Sequence, residues 1–214
     1  MTIAQSALVK FVQDNTTPLS RVFIKQFGLQ RSGTNILKAL IEMNYSSSRV
    51  LTMFLGNKHN PSSWNEMSES IKAESELEFD LTENEKKGIS YSVENNSLPL
   101  LINIKEPIPW IDSYFRYQKK KILYLDPEAN PILNIQWARK SLDIWERSVV
   151  SWLEIAIEHP GTSHVIEHMQ ILRDPKNILL ELAGKFQLEM SSTSLISTVE
   201  NEMKRGHYKE HGRN

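Results

Sequence analysis

A β-rich run from Arg21 to Leu29 leads into Gly28-Leu29-Gln30-Arg31-Ser32-Gly33-Thr34-Asn35. Helical spacing starts at once: Thr34 to Met43 places Ile36, Leu37, Leu40 and Ile41 on one face. A strand, a glycine loop and a helix N-terminus in direct succession make an anion cradle. Backbone N–H groups point inward there, and the helix dipole favours negative charge. Arg31 adds a positive fork, and Ser32 and Thr34 add hydroxyl donors. The bare pair of glycines at this spacing is also found in ordinary turns. The functional reading rests on strand, helix, Arg31 and hydroxyls standing in register.

The same alternation continues along the chain. Ser48 to Leu55 reads as a second strand, and Leu98 to Lys105 (LPLLINIK) as a strand buried on both faces. A helix is expected from about Pro109. Pro131 to Glu158 holds a long helical pattern stopped by Pro160-Gly161. Ser163 to Met169 reads as a short strand, and Asp174-Pro175 opens a helix to about Lys185 with Asp174 as N-cap. A last helix is expected over 194–204, and residues 1–20 read as an N-terminal arm. Residues 57–97 are polar and too long for structureless loop, so short helices or a substrate lid are expected there. Strands separated by helices predict one α/β domain over 1–214, three-layered, with a mostly parallel sheet flanked by helices. Ligands of such sheets bind at the carboxyl ends of the strands, just after Leu29, Leu55 and Ile104.

Composition narrows the chemistry. Cysteine is absent among the 214 residues, which removes disulfides, thiolate nucleophiles and thiolate metal sites. The net charge of -1 lacks the basic excess expected of a protein living on nucleic acid or anionic lipid. No apolar run reaches the length of a spanning helix, and the first residues do not read as a signal peptide, so a cytoplasmic location is the default expectation. Gly28 and Gly33 have the spacing of a Walker A loop, but Thr34 and Asn35 stand where a triphosphatase needs Lys and Ser/Thr. An anionic nucleotide handled without a metal ion is expected.

GLQRSGTN resembles the 5′-phosphosulfate loop of sulfotransferases, a basic residue followed by Ser-Gly-Thr and then Thr, Ser or Asn. The resemblance implies a P-loop-like fold and a donor, 3′-phosphoadenosine 5′-phosphosulfate (PAPS), which leaves as the 3′,5′-bisphosphate (PAP). It implies donor contacts from Gln30, Arg31, Ser32, Gly33, Thr34 and Asn35. A second signature of the family is a basic residue at a strand end, a proline two residues on and a serine eight residues on. Lys105, Pro107 and Ser113 match it, with Lys105 where arginine is common. A lysine leaving a strand and a serine in the next helix can converge on one phosphate. Taken alone, they also read as a solvated strand end and a helix-surface residue.

Sulfuryl transfer is an in-line displacement, helped by positioning, electrostatic stabilisation and removal of the acceptor proton. The resemblance gives Arg31 the role of stabilising the departing oxygen. Of six histidines, His59 lies best for a base, just past the second strand, with Lys58 placed to neutralise the sulfuryl group. A polar loop histidine without a role is the competing reading. His164 and His168 flank a short strand and read as structural, and His159 as a helix C-terminal residue. Trp110 and the Trp137, Trp145 and Trp152 stripe read as packing, and Lys119 to Lys121 as a solvated helix end.

The expected protein is a PAPS-dependent sulfotransferase acting on a hydroxyl or amine of a small molecule or glycan. No nucleic-acid polymer and no membrane span are expected. The rivals are a P-loop small-molecule kinase and a non-catalytic adenine-nucleotide-binding module.

Overall fold

The computed structural model describes residues 21–60, 64–67 and 81–191. Among them, four strands form one all-parallel sheet: β1 (Val22–Phe27), β2 (Ser48–Leu51), β3 (Leu100–Ile104) and β4 (Ser163–Glu167). The helices are α1 (Thr34–Asn44), α2 (Glu83–Glu94), α3 (Pro107–Leu125), α4 (Ile135–Glu158), α5 (His168–Arg173) and α6 (Pro175–Phe186). The arm at 1–20, the helix expected at 194–204 and much of 61–80 lie outside the described residues.

The expected α/β architecture with a parallel sheet is found. Side-chain alternation along each strand feeds two cores. Phe23, Phe27, Leu100 and Ile102 join Trp110, Trp152 and Ile155 on one face, together with Ile89 and Val93 of α2. Ile24, Val50, Leu101 and Ile166 join Leu37, Leu40 and Ile41 of α1 and Leu179 and Leu182 of α6 on the other. β3 therefore contributes to both cores, as its unbroken apolar run predicts. Each fully buried Leu, Ile or Phe contributes on the order of 1.5–3 kcal/mol relative to exposure.

Strand order is β2-β1-β3-β4, with Lys25 opposite Leu100 and Phe27 opposite Ile102. The chain leaves β1 toward β2 on one side and leaves β3 toward β4 on the other. The connections part between the carboxyl ends of β1 and β3, the switch point where open parallel sheets bind ligands.

Local rules explain most boundaries. Asp174 caps α6 by accepting from Asn177 N–H at 3.1 Å, as expected from Asp-Pro. Asn134 caps α4 in the same way at 2.9 Å, so that helix starts four residues after Pro131 rather than at it. Thr82 and Glu85 form a reciprocal capping box on α2, the helix found inside the polar 57–97 stretch. β2 is shorter than expected, ending at Leu51 instead of Leu55. The ammonium of Lys25, fully buried in β1, takes the carbonyls of Phe54 (2.8 Å) and Gly56. Leu55 and Gly56 turn at φ 63° and 87°, and the chain doubles back instead of extending.

Candidate functional site

The loop between β1 and α1 is closed by its own polar groups and clamped by its neighbours. Ser32 donates its hydroxyl (2.6 Å) and its N–H (3.2 Å) to the Leu29 carbonyl. Asn103 at the end of β3 donates to the Ser32 carbonyl at 2.7 Å. Trp110 of α3 donates its indole N–H to the Gln30 carbonyl at 2.7 Å, so this tryptophan ties the helix to the loop as well as filling the core. Gln26 reaches forward to the Thr34 carbonyl at 3.1 Å.

Both glycines are sterically required. A Cβ on Gly28 would lie 2.6 Å from Thr34 Cγ2 and 2.8 Å from the Asn103 carbonyl oxygen. Gly33 is the N-cap of α1 at φ 86°, and its Cβ would lie 2.5 Å from His168 Nδ1. Arg31 holds φ 69° without being glycine, a strained position in the middle of the turn. Its exposed guanidinium sits 5.8 Å from the ring of Tyr117.

The sequence-based site residues divide into three groups. Gln30, Arg31, Ser32, Gly33 and Thr34 form the loop and the first residue of α1. Ser32 is buried with its hydroxyl proton engaged by Leu29, so it closes the turn rather than offering that proton outward. Asn35, Lys58 and His59 form a second group. The return loop after β2 brings the Lys58 carbonyl to Gly28 N–H at 2.9 Å, which sets Lys58 and His59 against the cradle. Lys58 donates from Nζ to Asn35 Oδ1 at 2.6 Å in the first turn of α1. His59 Nδ1 lies 2.6 Å from the Gly28 carbonyl oxygen, which can only accept, so Nδ1 carries the proton. Neutral His59 thus keeps its lone pair on Nε2.

The third group is Lys105 and Ser113. Lys105 leaves β3 with its ammonium 3.5 Å from the Arg31 carbonyl, and Trp145 fixes its backbone by donating to its carbonyl at 2.7 Å. Ser113 is half-buried in the second turn of α3, and among the described residues no hydrogen bond ties it to the loop.

The electrostatics converge on a positive, partly dry basin. Lys58 is only 8% exposed, and burial followed by the charge of Lys38 lowers its pKa to about 8. Lys105 is lowered by burial, then by Arg31 and Arg116, with Asp112 opposing. Burial lowers the pKa of His59, its bond to the Gly28 carbonyl opposes this, and the charge of Lys58 adds to the lowering, so the balance favours the neutral ring.

His168 flanks β4 as the sequence predicts, opening α5 directly after it, and packs its ring on Gly33. Burial and then the nearby Lys105 lower its pKa to about 4. Its Nδ1 is buried without a hydrogen-bond partner of good geometry, and the Ser32 backbone compensates only weakly. Strand order alone brings this residue to the cradle, so no local signal marks it. The other histidines keep ordinary places: His159 is the C-cap of α4, stacked on Trp64 at 4.0 Å, and His164 lies 3.8 Å from Glu181.

A hollow of about 420 Å³ opens beside the return loop, between Phe54 and the Glu83, Lys86, Lys87, Ser90, Tyr91 and Glu94 face of α2. None of the β1–α1 loop residues, nor Lys58 or His59, is among the residues that line it. Among the described residues no cluster of His, Asp or Glu could hold a metal ion, and no helix is long and apolar enough to cross a membrane. The sequence matches no protein-family model and none of the curated proteins compared with it.

Proposed function

We propose that this chain is a sulfotransferase that moves a sulfuryl group from PAPS to a hydroxyl or amine acceptor without a metal ion. The observation that carries the reading is the docking of Lys58 and His59 on the β1–α1 loop. A nearly buried ammonium bonded to a neutral amide, at a helix end that is itself positive, is costly unless an anion completes it. A phosphosulfate is an anion of the right kind, and the loop sequence is the one that resembles the family's donor loop.

In this reading the backbone of residues 30–35 and Arg31 hold the 5′ end, and Lys105 with Ser113 holds the 3′-phosphate. PAPS supplies the transferable sulfuryl group. His59 Nε2 takes the acceptor's proton as the acceptor oxygen or nitrogen bonds to sulfur and the sulfur–oxygen bond to the phosphate breaks. Lys58 and Arg31 balance charge on the sulfuryl oxygens and on the departing phosphate. The hollow between Phe54 and α2, part of the 57–97 region, gives the acceptor a place of sugar or phenol size.

Transfer of radiolabelled sulfate from PAPS to a panel of glycan and phenol acceptors, across pH, tests the mechanism. Wild-type turnover should fall on the acid side below pH 6.5, as His59 charges, and on the basic side near pH 8, as Lys58 loses its proton. His59→Ala should lose about 10²-fold or more in kcat with PAP affinity within about twofold of wild type. Unchanged turnover in His59→Ala removes it as the base.

A further inference from the structure

The helical hairpin formed by α3 and α4 has two unlike halves. The buried residues of α3 are Trp110 and Ile111 in its first turn, and those of α4 begin only at Ser141. Tyr114 of α3 and Trp137 and Ala138 of α4 pack partly buried against one core, but none of the last fourteen residues of α3 or the first six of α4 is fully buried, and this end of the hairpin leaves that core beyond the Tyr114–Trp137 contact. It is nevertheless apolar: Ile122, Leu125, Ile132, Leu133 and Ile135 are 40%, 72%, 65%, 43% and 66% exposed. Isolated exposed apolar residues are ordinary, but a group gathered on one protruding end is not.

Behind the apolar end lies a ring of cations. Lys119, Lys120 and Lys121 are consecutive and all exposed, and successive residues step about 100° around a helix, so they encircle α3 rather than line one face. Arg139 and Lys140, also exposed, stand nearer the core on α4, beyond the Trp137 ring that meets Tyr114 and Phe115. At about 1.5 Å per residue the three lysines lie about 6–9 Å back from Leu125 along α3. An apolar tip with cations set back by that depth fits the boundary between acyl chains and anionic headgroups, where apolar faces sit about 5–10 Å deep. Lysine and arginine stems reach along apolar surface while their charges stay in water.

Charge complementarity selects the partner. Residues 116–140 carry six cationic side chains against two carboxylates, in a chain whose net charge is -1. The positive field is thus concentrated at this end, whereas an apolar protein partner would not call for a ring of cations. The carboxylates, Asp126 and Glu128, lie in the turn between the helices and oppose deep insertion. Contact is therefore at the surface of a bilayer.

We propose that the outer end of the α3–α4 hairpin docks on anionic lipid surfaces. The inference stands apart from the sulfotransferase reading and concerns the opposite end of α3 from the cradle.

Flotation of the full chain with vesicles tests it, using phosphatidylcholine alone against phosphatidylcholine with about one-third phosphatidylserine, at low and at 0.5 M salt. The protein should float with the anionic vesicles at low salt, and binding should fall at least tenfold at high salt or on neutral vesicles. Lys119→Gln/Lys120→Gln/Lys121→Gln should lower the partition coefficient by more than tenfold, since each charge near such a surface contributes about fivefold. Leu125→Ser/Ile132→Ser should lower it at equal charge. Asp126→Asn/Glu128→Gln should raise it, a gain that misfolding would not produce. Absence of flotation, equal flotation on both lipids, or variants that leave it unchanged would overturn the proposal. So would a wild-type dimer in sedimentation that Leu125→Ser/Ile132→Ser dissociates, which would make a second copy the occupant.

Discussion

Two loops meet at the carboxyl end of the sheet, and they are held by opposite means. The β1–α1 loop is fixed mainly by what it cannot contain: Gly28 and Gly33 are places where any Cβ collides. The return loop after β2 is fixed by what reaches it, the buried Lys25 ammonium on the carbonyls of Phe54 and Gly56. In the proposed function the first presents backbone to the donor and must be closely packed. The second delivers two side chains, Lys58 and His59, and needs only an anchor. A site made of both depends on steric exclusion on one side and on a buried charge on the other.

The largest effect should come from the sterically fixed side. Gly33→Ala should destabilise the protein by about 3 kcal/mol, through the φ of 86° and the collision with His168, and remove most bisphosphate binding. The obstacle is one imidazole, so His168→Ala in the same chain should restore part of both losses in denaturant unfolding and calorimetry. Gly28→Ala collides with the Asn103 backbone oxygen, and His168→Ala should leave it unrescued. Equal rescue of both glycine variants would break the contrast.

Next comes the anchored side. Lys25→Met should cost about 2–3 kcal/mol by stranding the Phe54 and Gly56 carbonyls. It should lower turnover more than it lowers nucleotide affinity, because Lys58 and His59 lose their seat while the β1–α1 loop keeps its own clamps. A Lys25→Met protein with wild-type stability and turnover would show that the return loop holds itself.

The smallest effect is an acid limb of stability. His168 has a folded pKa of about 4, below its unfolded value of about 6.5. The unfolded chain therefore binds a proton first as pH falls. The stability that neutral His168 contributes is fully present above pH 6.5 and is lost progressively down to about pH 4. With solvent screening of a partly exposed ring, the loss should be about 1–2 kcal/mol. It should vanish in His168→Gln, as read from thermal unfolding across that range.

The same contrast explains what could be read from the sequence. The β1–α1 loop is legible because its constraints are local: strand, two glycines and helix follow one another. The sheet and the capped helix after Asp174 are legible for the same reason, periodicity and caps being short-range signals. The end of β2 is not legible in the sequence, because it is set by Lys25, a residue 29 positions from Phe54 and hidden inside a strand pattern. The packing of His168 on Gly33 is not legible in the sequence, because only the β1-β3-β4 order sets the two side by side. Trp110 and Trp145 pack as the sequence predicts, but their hydrogen bonds are not legible in it, because the carbonyls they hold, Gln30 and Lys105, are 80 and 40 residues away.

Calorimetric titration with PAP in EDTA, with ATP as the parallel ligand, tests the donor site most directly. The account predicts metal-independent binding of the bisphosphate, about tenfold or more weaker in Lys105→Ala, and much weaker binding of ATP. No binding of the bisphosphate, or a preference for ATP that requires Mg²⁺, would contradict it and favour a phosphoryl-transfer enzyme.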